Sequence, residues 1–400
     1  MSRILLLYKN AFGGLSQAAW MLALVMFINR AGAMVLPFLT VYLTESLGFT
    51  LKQAGIAMSL FGLGSMCGAY LGGWLTDRIG HFKIQVTSLI AGGALFFVLL
   101  QLTQFHTFAV GIFILSLVTE CLRPANASSV AYYAKNENVT RAFSLNRMAM
   151  NLGFSIGPAL GGFLASISYR WLFMADGFTC IAAGIFFYFY FRNQQGSKPK
   201  TKVETSAAAS VRSPYRDGKF LIFAALTCLF AIVFFQFFTT LPLYYRQVYL
   251  LSEAKIGTLL ALNGIFVFLV EMVVVYLAGQ RFKLEHLLAV GTLFTGFSFV
   301  LLNLLQGLPV LYTAMIILSI SEILAMPFMA TITVQRSTDS NRGAYMGLYT
   351  LSYSLAHVLG PYLGTSIIAA FGFNTLWWCA GALCLVTAVG FYFLVPKLKE

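Results

Sequence analysis

The sequence predicts an all-α membrane protein, with twelve transmembrane helices in two pseudo-symmetric six-helix bundles. Three observations predict it. Charge is scarce: of 400 residues, 59% are hydrophobic and 10% are charged, against about 25% charged in a soluble domain. Apolar runs of spanning length recur along the whole chain. The second half of the sequence repeats the first. Together these exclude a water-soluble enzyme, a disordered chain and a secreted disulfide scaffold.

The first six apolar runs lie at 17–43, 52–75, 82–103, 107–130, 143–167 and 171–191. A second six follow at 220–245, 254–278, 286–305, 309–332, 344–370 and 374–396. Backbone polar groups must be paired inside lipid, so these runs are expected to be helices. They are too long, and alternate too little, for strands. The domain organisation expected is an N-terminal bundle over 1–191, a linker over 192–219 and a C-terminal bundle over 220–400. The linker is polar and carries seven Lys/Arg against two acids, the composition of a flexible connection. MSRILLLYKNAFGG at the start lacks a cleavage site and reads as no cleavable signal peptide. The six cysteines, Cys67, Cys121, Cys180, Cys228, Cys379 and Cys384, sit inside apolar runs without metal-ligand spacing and read as packing residues.

Net charge is +13, from 26 Lys+Arg against 13 Asp+Glu. Place both termini, the linker and the loops that follow even-numbered spans on the cytoplasmic side. That side then holds 20 of the 26 basic residues, and the outer side holds only Lys52, Arg170, Arg246 and Lys255. The bias predicts a multi-pass protein of the plasma (inner) membrane with both termini cytoplasmic. It also accounts for the basic balance without a nucleic-acid partner. Arg30 and Arg123 are left over, inside spans.

The repeat has four parts in order. LPFLTVYL (36–43) pairs with LPLYYRQVYL (241–250), and Gly55 and Gly62 pair with Gly257 and Gly264. LSLVTE (115–120) pairs with LSISE (318–322), which matches Glu120 to Glu322, and IGPALG (156–161) pairs with LGPYLG (359–364). Offsets of 202 to 205 indicate a duplicated bundle. Parallel repeats of this kind place a substrate site near the midplane between the halves.

GGWLTDRIGHFK (72–83) stands between spans 2 and 3. With the twelve spans and the duplication, it resembles the major facilitator superfamily, whose loop there reads G-x-L-A-D-R-x-G-R-K. Gly73, Asp77, Arg78 and Gly80 match, and His81 and Phe82 stand where the family has a basic pair. The resemblance implies a conformational switch in which Asp77 docks near the start of span 11, where a helix N-terminus favours a carboxylate. Span 5 carries NLGFSIGPALGG (151–162), which resembles the G-x-x-x-G-P-x-x-G-G motif of twelve-helix drug:proton antiporters through Gly153, Gly157, Pro158, Gly161 and Gly162. That likeness implies export. SEILAMPF (321–328) resembles span 10 of multidrug permeases and of proton-coupled peptide transporters. The E-x-x-E-R motif of the latter is reduced to Arg30 in FINRAGAM (27–34).

An ionisable residue at mid-bilayer costs about 2.5–3.5 kcal/mol on insertion scales. It persists where it is paired, lines a wet cavity or works. Arg30, Glu120, Arg123, Glu271, Glu322 and His357 are in that position. Glu120 and Arg123, three apart, share a helix face and can pair. Glu322 is the preferred proton-coupling residue, with Glu120 second; Arg30 and Arg123 are placed at the substrate cavity, and Glu271 and His357 are secondary candidates. Phe27, Phe38, Phe234, Phe235, Phe238, Tyr244 and Phe328 are the aromatics expected to make an apolar pocket for an amphipathic ligand. Asp176 is expected near the outer headgroups or Arg170.

Taken together, the sequence predicts a secondary active transporter working by alternating access. The first reading is proton-coupled export of amphipathic or drug-like small molecules. The alternative is proton-coupled uptake of a small polar or anionic nutrient such as a peptide or organic acid, with Arg30 and Arg123 holding a carboxylate. The expected partners are a small-molecule substrate, protons and membrane lipids, in a monomer. No nucleophile–base set, metal cluster or nucleotide loop is visible, so no enzyme activity, cofactor or metal is expected.

Overall fold

The computed structural model describes residues 14–134, 139–193, 213–337 and 341–398. Most of the expected linker, 194–212, lies outside the described residues. Among the described residues, eleven helical stretches are long and apolar enough to cross a membrane. The last of them contains two spans joined at Gly372, whose φ of 82° and ψ of 174° interrupt the helix Arg342–Leu398. Twelve crossings result.

Span 1 is not the continuous helix its hydrophobicity predicts. It runs Gln17–Ala31, breaks over 32–34, and resumes as Val35–Val41 with a π-turn at Tyr42–Ser46. Span 7 is broken at the equivalent place: Gly218–Phe234, then Gln236–Thr239, then Leu241–Gln247. Span 4 is kinked between Phe105–Glu120 and Leu122–Tyr133. Pro124 explains that kink, since it offers no N–H to the carbonyl of residue 120 and its ring crowds it. Gly80, at φ 91°, makes the one-residue turn from span 2 (Leu51–Ile79) into span 3 (His81–Leu99). A side chain there would be strained.

The duplication is visible in the capping contacts. Ser16 caps the first helix, accepting from Ala19 N at 3.1 Å, and its hydroxyl donates to Tyr133 O at the end of span 4 at 2.9 Å. Asp217 caps span 7, accepting from Phe220 N at 3.2 Å, and pairs with Arg336 at the end of span 10 at 2.8 Å. First span therefore meets fourth span in both halves, through residues 201 and 203 positions apart.

By contacts the chain divides into two compact units. The first comprises Met1–Val35 with Gly64–Thr201, and the second Leu36–Leu63 with Lys202–Glu400. The core of the first unit gathers Leu22, Val25 and Met26 of span 1, Leu89 of span 3, Leu122 and Val130 of span 4, and Phe187 and Phe191 of span 6. In the second unit, Phe220, Phe223, Phe230, Phe299 and Trp377 are fully buried, with Phe299 stacked on Trp377 at 5.0 Å. Residues 36–63, which belong by sequence to the first six spans, make contacts with the second six. Arg246 Nε donates to Glu45 Oε2 at 2.8 Å, and Gly55 and Gly62 lie against Thr365 and the His357 carbonyl. Glycine at 62 allows backbone to meet backbone there.

Candidate functional site

The first unit builds its site around the break in span 1. Asp176 on span 6 is buried (2% exposed) and accepts Met34 N at 2.9 Å and Val35 N at 3.0 Å. It thus satisfies the amide groups that the second half-helix would leave unpaired. This corrects the expectation that Asp176 meets headgroups or Arg170: the break in span 1, invisible in a hydrophobic run, creates donors that only a buried acceptor can satisfy. Span 5 packs on the same break. A Cβ at Gly153 would lie 2.7 Å from Arg30 Cβ and 2.8 Å from Ala31 N, one at Gly157 3.2 Å from Arg30 O, and one at Gly161 3.0 Å from Met34 Cβ. Pro158 and Gly162, within the same helix, are buried. The glycine motif is the seat of span 1 on span 5.

That packing fixes Arg30. Its guanidinium lies over the Phe154 ring at 5.2 Å, and its Nε is buried without a hydrogen-bond partner. It opens onto a cavity of about 410 Å³ lined also by Arg123, Asn126, Arg147, Asn146, Met26 and Met150. Glu120 stands beside the cavity, its Oε2 2.9 Å from Arg123 Nη2 but without the alignment of a hydrogen bond. Glu120 is nearly buried while Arg123 is 57% exposed. Arg30 and Arg123 therefore border one cavity, and Glu120 lies beside Arg123, as their three-residue spacing allows. Sequence reasoning missed Arg147, Asn126 and Asn146. The topology rule places Arg147 with the cytoplasmic charges, but it lies inside the apolar run 143–167, on the helix Val139–Ile167, and that position was the available signal.

A hydrogen-bonded chain leads from the start of span 3 to this cavity. His81 Nδ1 lies 2.9 Å from Ser129 Oγ, Ser129 donates to Gln85 Oε1 at 2.6 Å, and Gln85 Nε2 reaches Asn126 Oδ1 at 3.5 Å. Because the single Ser129 proton goes to Gln85, His81 Nδ1 must carry the proton of its own bond. In the same loop region the Arg78 guanidinium covers the Trp74 ring at 4.0 Å, and Gly73 lies against Pro124. The Asp77 side chain lies outside the described residues.

The second unit holds Glu322 in the middle of span 10 (Leu308–Arg336). Asn263 Nδ2 donates to Glu322 Oε2 at 3.1 Å and to Ser319 Oγ at 3.0 Å. His357 stacks face to face on Phe235 at 3.6 Å. Gln236, just past the span 7 break, donates to Gly360 O at 3.0 Å, and its side chain fills the space over Gly364. Span 11 thus repeats the role of span 5. The aromatic candidates divide. Phe38 has no exposure, and Phe234, Phe235, Tyr244 and Phe328 are buried. Tyr244 is packed edge-on to Trp377, with its hydroxyl donating to Leu302 O at 3.3 Å. Phe27 and Phe238 are partly exposed, and so is Glu271. None of these aromatics lines the arginine cavity.

A duplicated twelve-span bundle with broken first spans and buried ionisable groups defines a polytopic carrier of small solutes. The family described as the Major Facilitator Superfamily matches residues 22–337 and 249–400, and the chain belongs to that superfamily of transporters. An uncharacterized MFS-type transporter, YttB of Bacillus subtilis, is 29% identical over 90% of each chain. A Na(+), Li(+), K(+)/H(+) antiporter of Planococcus maritimus is 23% identical, covering 92% of both chains. The multidrug resistance protein MdtH of Klebsiella pneumoniae is 23% identical over 86% of this chain and 89% of its own. In fold, the chain matches a crystal structure of the peptide transporter POT in complex with sulfate, with a TM-score of 0.82 and 18% identity over 97% and 96% of the two chains.

Proposed function

We propose that this transporter is a monomeric, proton-coupled antiporter that exports amphipathic small molecules across the inner membrane. Both termini and residues 192–219 face the cytoplasm, as the 20-to-4 distribution of basic residues supports. The observation that carries the coupling is the setting of Glu322. Its donor, Asn263, is a neutral amide that can hold either a carboxylate or the carbonyl oxygen of the protonated acid. Loading and releasing a proton there leaves the contact intact. Glu120, whose carboxylate lies 2.9 Å from the Arg123 guanidinium, instead serves the substrate cavity as the partner of that arginine. The multidrug and cation/proton antiporter names of the relatives support the same reading.

The test is transport in proteoliposomes with an imposed pH gradient. Wild-type protein is expected to move a dye-like substrate against the proton flux. Glu322→Gln should lower gradient-driven transport at least about tenfold while leaving substrate binding in place. Undiminished proton-driven transport in that variant would remove Glu322 from the mechanism.

A further inference from the structure

We propose that Tyr349 and Tyr353 of span 11 relay the proton between Glu322 and the cytoplasmic end of the second unit. The inference rests on the Glu322 reading above and adds the route by which that site exchanges its proton. Span 11 carries Tyr345, Tyr349, Tyr353 and His357 at four-residue spacing, which sets them one above another along a single face of the helix Arg342–Leu398. The stripe starts where Tyr345 donates to Asp217 Oδ2 at 2.9 Å and reaches His357, whose ring lies on Phe235. Between these ends, Tyr349 donates to the Tyr353 oxygen at 3.3 Å. Span 10 supplies the face opposite. Tyr349 also reaches Met326 O, and Tyr353 reaches Met329 Sδ, each at 3.5 Å. Met326 and Met329 follow Glu322 by four and seven residues, so the three share one face of Leu308–Arg336. One turn further from the cytoplasmic end, Met326 gives way to Glu322 and Tyr349 to Tyr353. The charge of Glu322 acts on Tyr353 there.

A phenol hydroxyl both donates and accepts, so two of them in contact can hand a proton along. In release, the Glu322 acid gives its proton to the Tyr353 oxygen, Tyr353 gives its own to Tyr349, and Tyr349 gives its own to water at the cytoplasmic end. Three O–H bonds break and three form. One proton leaves, Glu322 is left as the carboxylate, and both phenols end neutral. Afterwards the Tyr349 hydroxyl points back at Tyr353, which is the orientation in the structure. An alternative acceptor stands beside each hydroxyl for the turn that precedes the next release: Met326 O for Tyr349, and the weakly accepting Met329 thioether for Tyr353. The duplication shows that packing does not ask for these hydroxyls. At the offset of 203 that pairs IGPALG with LGPYLG, the first half has Ala142, Asn146, Met150 and Phe154 in the four places of the stripe.

The experiment uses the full chain in phosphatidylcholine nanodiscs and needs no solute. After a rapid jump from acid to alkaline pH, infrared absorption follows the loss of the protonated carboxyl band of Glu322, identified by its absence in Glu322→Gln. Tyr353→Phe and Tyr349→Phe keep the rings and remove the hydroxyls. Each should slow the loss of that band by about a hundredfold, the scale of a positioned proton-transfer group, while leaving its final amplitude unchanged. The unchanged amplitude separates a broken relay from a damaged site, which would lose the band. Tyr362→Phe, at an exposed position of the same span, should keep both rate and amplitude. If Tyr353→Phe fails to fold, Tyr349→Phe carries the test alone. A wild-type rate in either folded variant overturns the inference. The two readings fail differently: a wild type without any band that Glu322→Gln removes loses the proton site and the relay together, while a band lost at the wild-type rate in the tyrosine variants removes the relay alone.

Discussion

Asp176 shows how a single residue can govern the region around a site without touching a solute. The break at 32–34 frees amides inside the protein, and Asp176 receives those of Met34 and Val35 with its two oxygens. Each buried donor left unpaired costs about 1–3 kcal/mol. Asp176→Ala should therefore destabilise the protein by about 2–5 kcal/mol, read as a lowered thermal unfolding midpoint in detergent. Asp176→Asn, which keeps one acceptor, should lose less; equal stability of wild type and the alanine variant would show that the half-helix is satisfied in another way. This role was not legible in the sequence, because an acid near a span end reads first as an interfacial charge. The Glu120–Arg123 pair was legible, because three-residue spacing on a helix brings two side chains together whatever the tertiary structure. Arg147 shows the limit of the same logic. A basic residue at the mouth of a span satisfies the topology rule, which masks its place inside the apolar run 143–167.

At the scale of elements, the glycine motifs and the caps belong together. Spans 5 and 11 carry the same small-residue pattern because each must pack against a broken first span, on Arg30–Met34 in one half and on Gln236 in the other. The pattern was readable; its partner was not, since a hydrophobic run gives no sign of a break. The Asp217 cluster was likewise hidden among residues counted as loop charges. Arg336 binds both Asp217 oxygens at 2.8 and 3.4 Å, Tyr345 donates to Oδ2 at 2.9 Å, and Arg336 Nη1 reaches Leu398 O at 2.8 Å. This ties the start of span 7 to the ends of spans 10 and 12 and the start of span 11. Burial alone would raise the Asp217 carboxyl, but Arg336, Tyr345 and the Phe220 amide outweigh it and hold the group below its ordinary value. The folded state therefore binds fewer protons there than the unfolded chain. The stabilisation is complete above the ordinary aspartate range, about pH 4, and is lost as pH falls through the lower native value. Thermal midpoints followed from pH 7 to pH 3 should fall steeply at the acid end for the wild type. Asp217→Asn should sit lower at pH 7, by about 3 kcal/mol for breaking a buried pair, and should lack that part of the acid dependence. A variant with the wild-type acid limb would assign the dependence to other carboxylates.

At the scale of the whole molecule, the fold class came from quantities summed over the chain. Scarce charge, spanning-length runs and ordered repeats are each robust to local error, and a twelve-span duplicated carrier follows from them. What those sums cannot carry is which span contacts which. Residues 36–63 lie in the first six spans yet share a compact unit with the second six. They are joined there by the Glu45–Arg246 pair, which Glu253 extends at 3.5 Å from Arg246. Both side chains of the first pair are about one-third exposed, so the pair contributes at most about 1 kcal/mol. Such a contact can be made and broken in every transport cycle. A carrier that opens to each side in turn requires close packing between the repeats to part at one stage, and the glycine contacts at Gly55 and Gly62 have no tether stronger than this pair among those described. Glu45→Cys with Arg246→Cys, in a chain whose exposed Cys379 and partly exposed Cys67 are replaced by serine, places one thiol on each side. Bridging them with a bifunctional thiol reagent should stop proteoliposome transport, and cleaving the bridge should restore it. Transport that continues through the bridged protein would show that residues 36–63 travel with the second six spans throughout the cycle, and the parting would then have to be sought elsewhere.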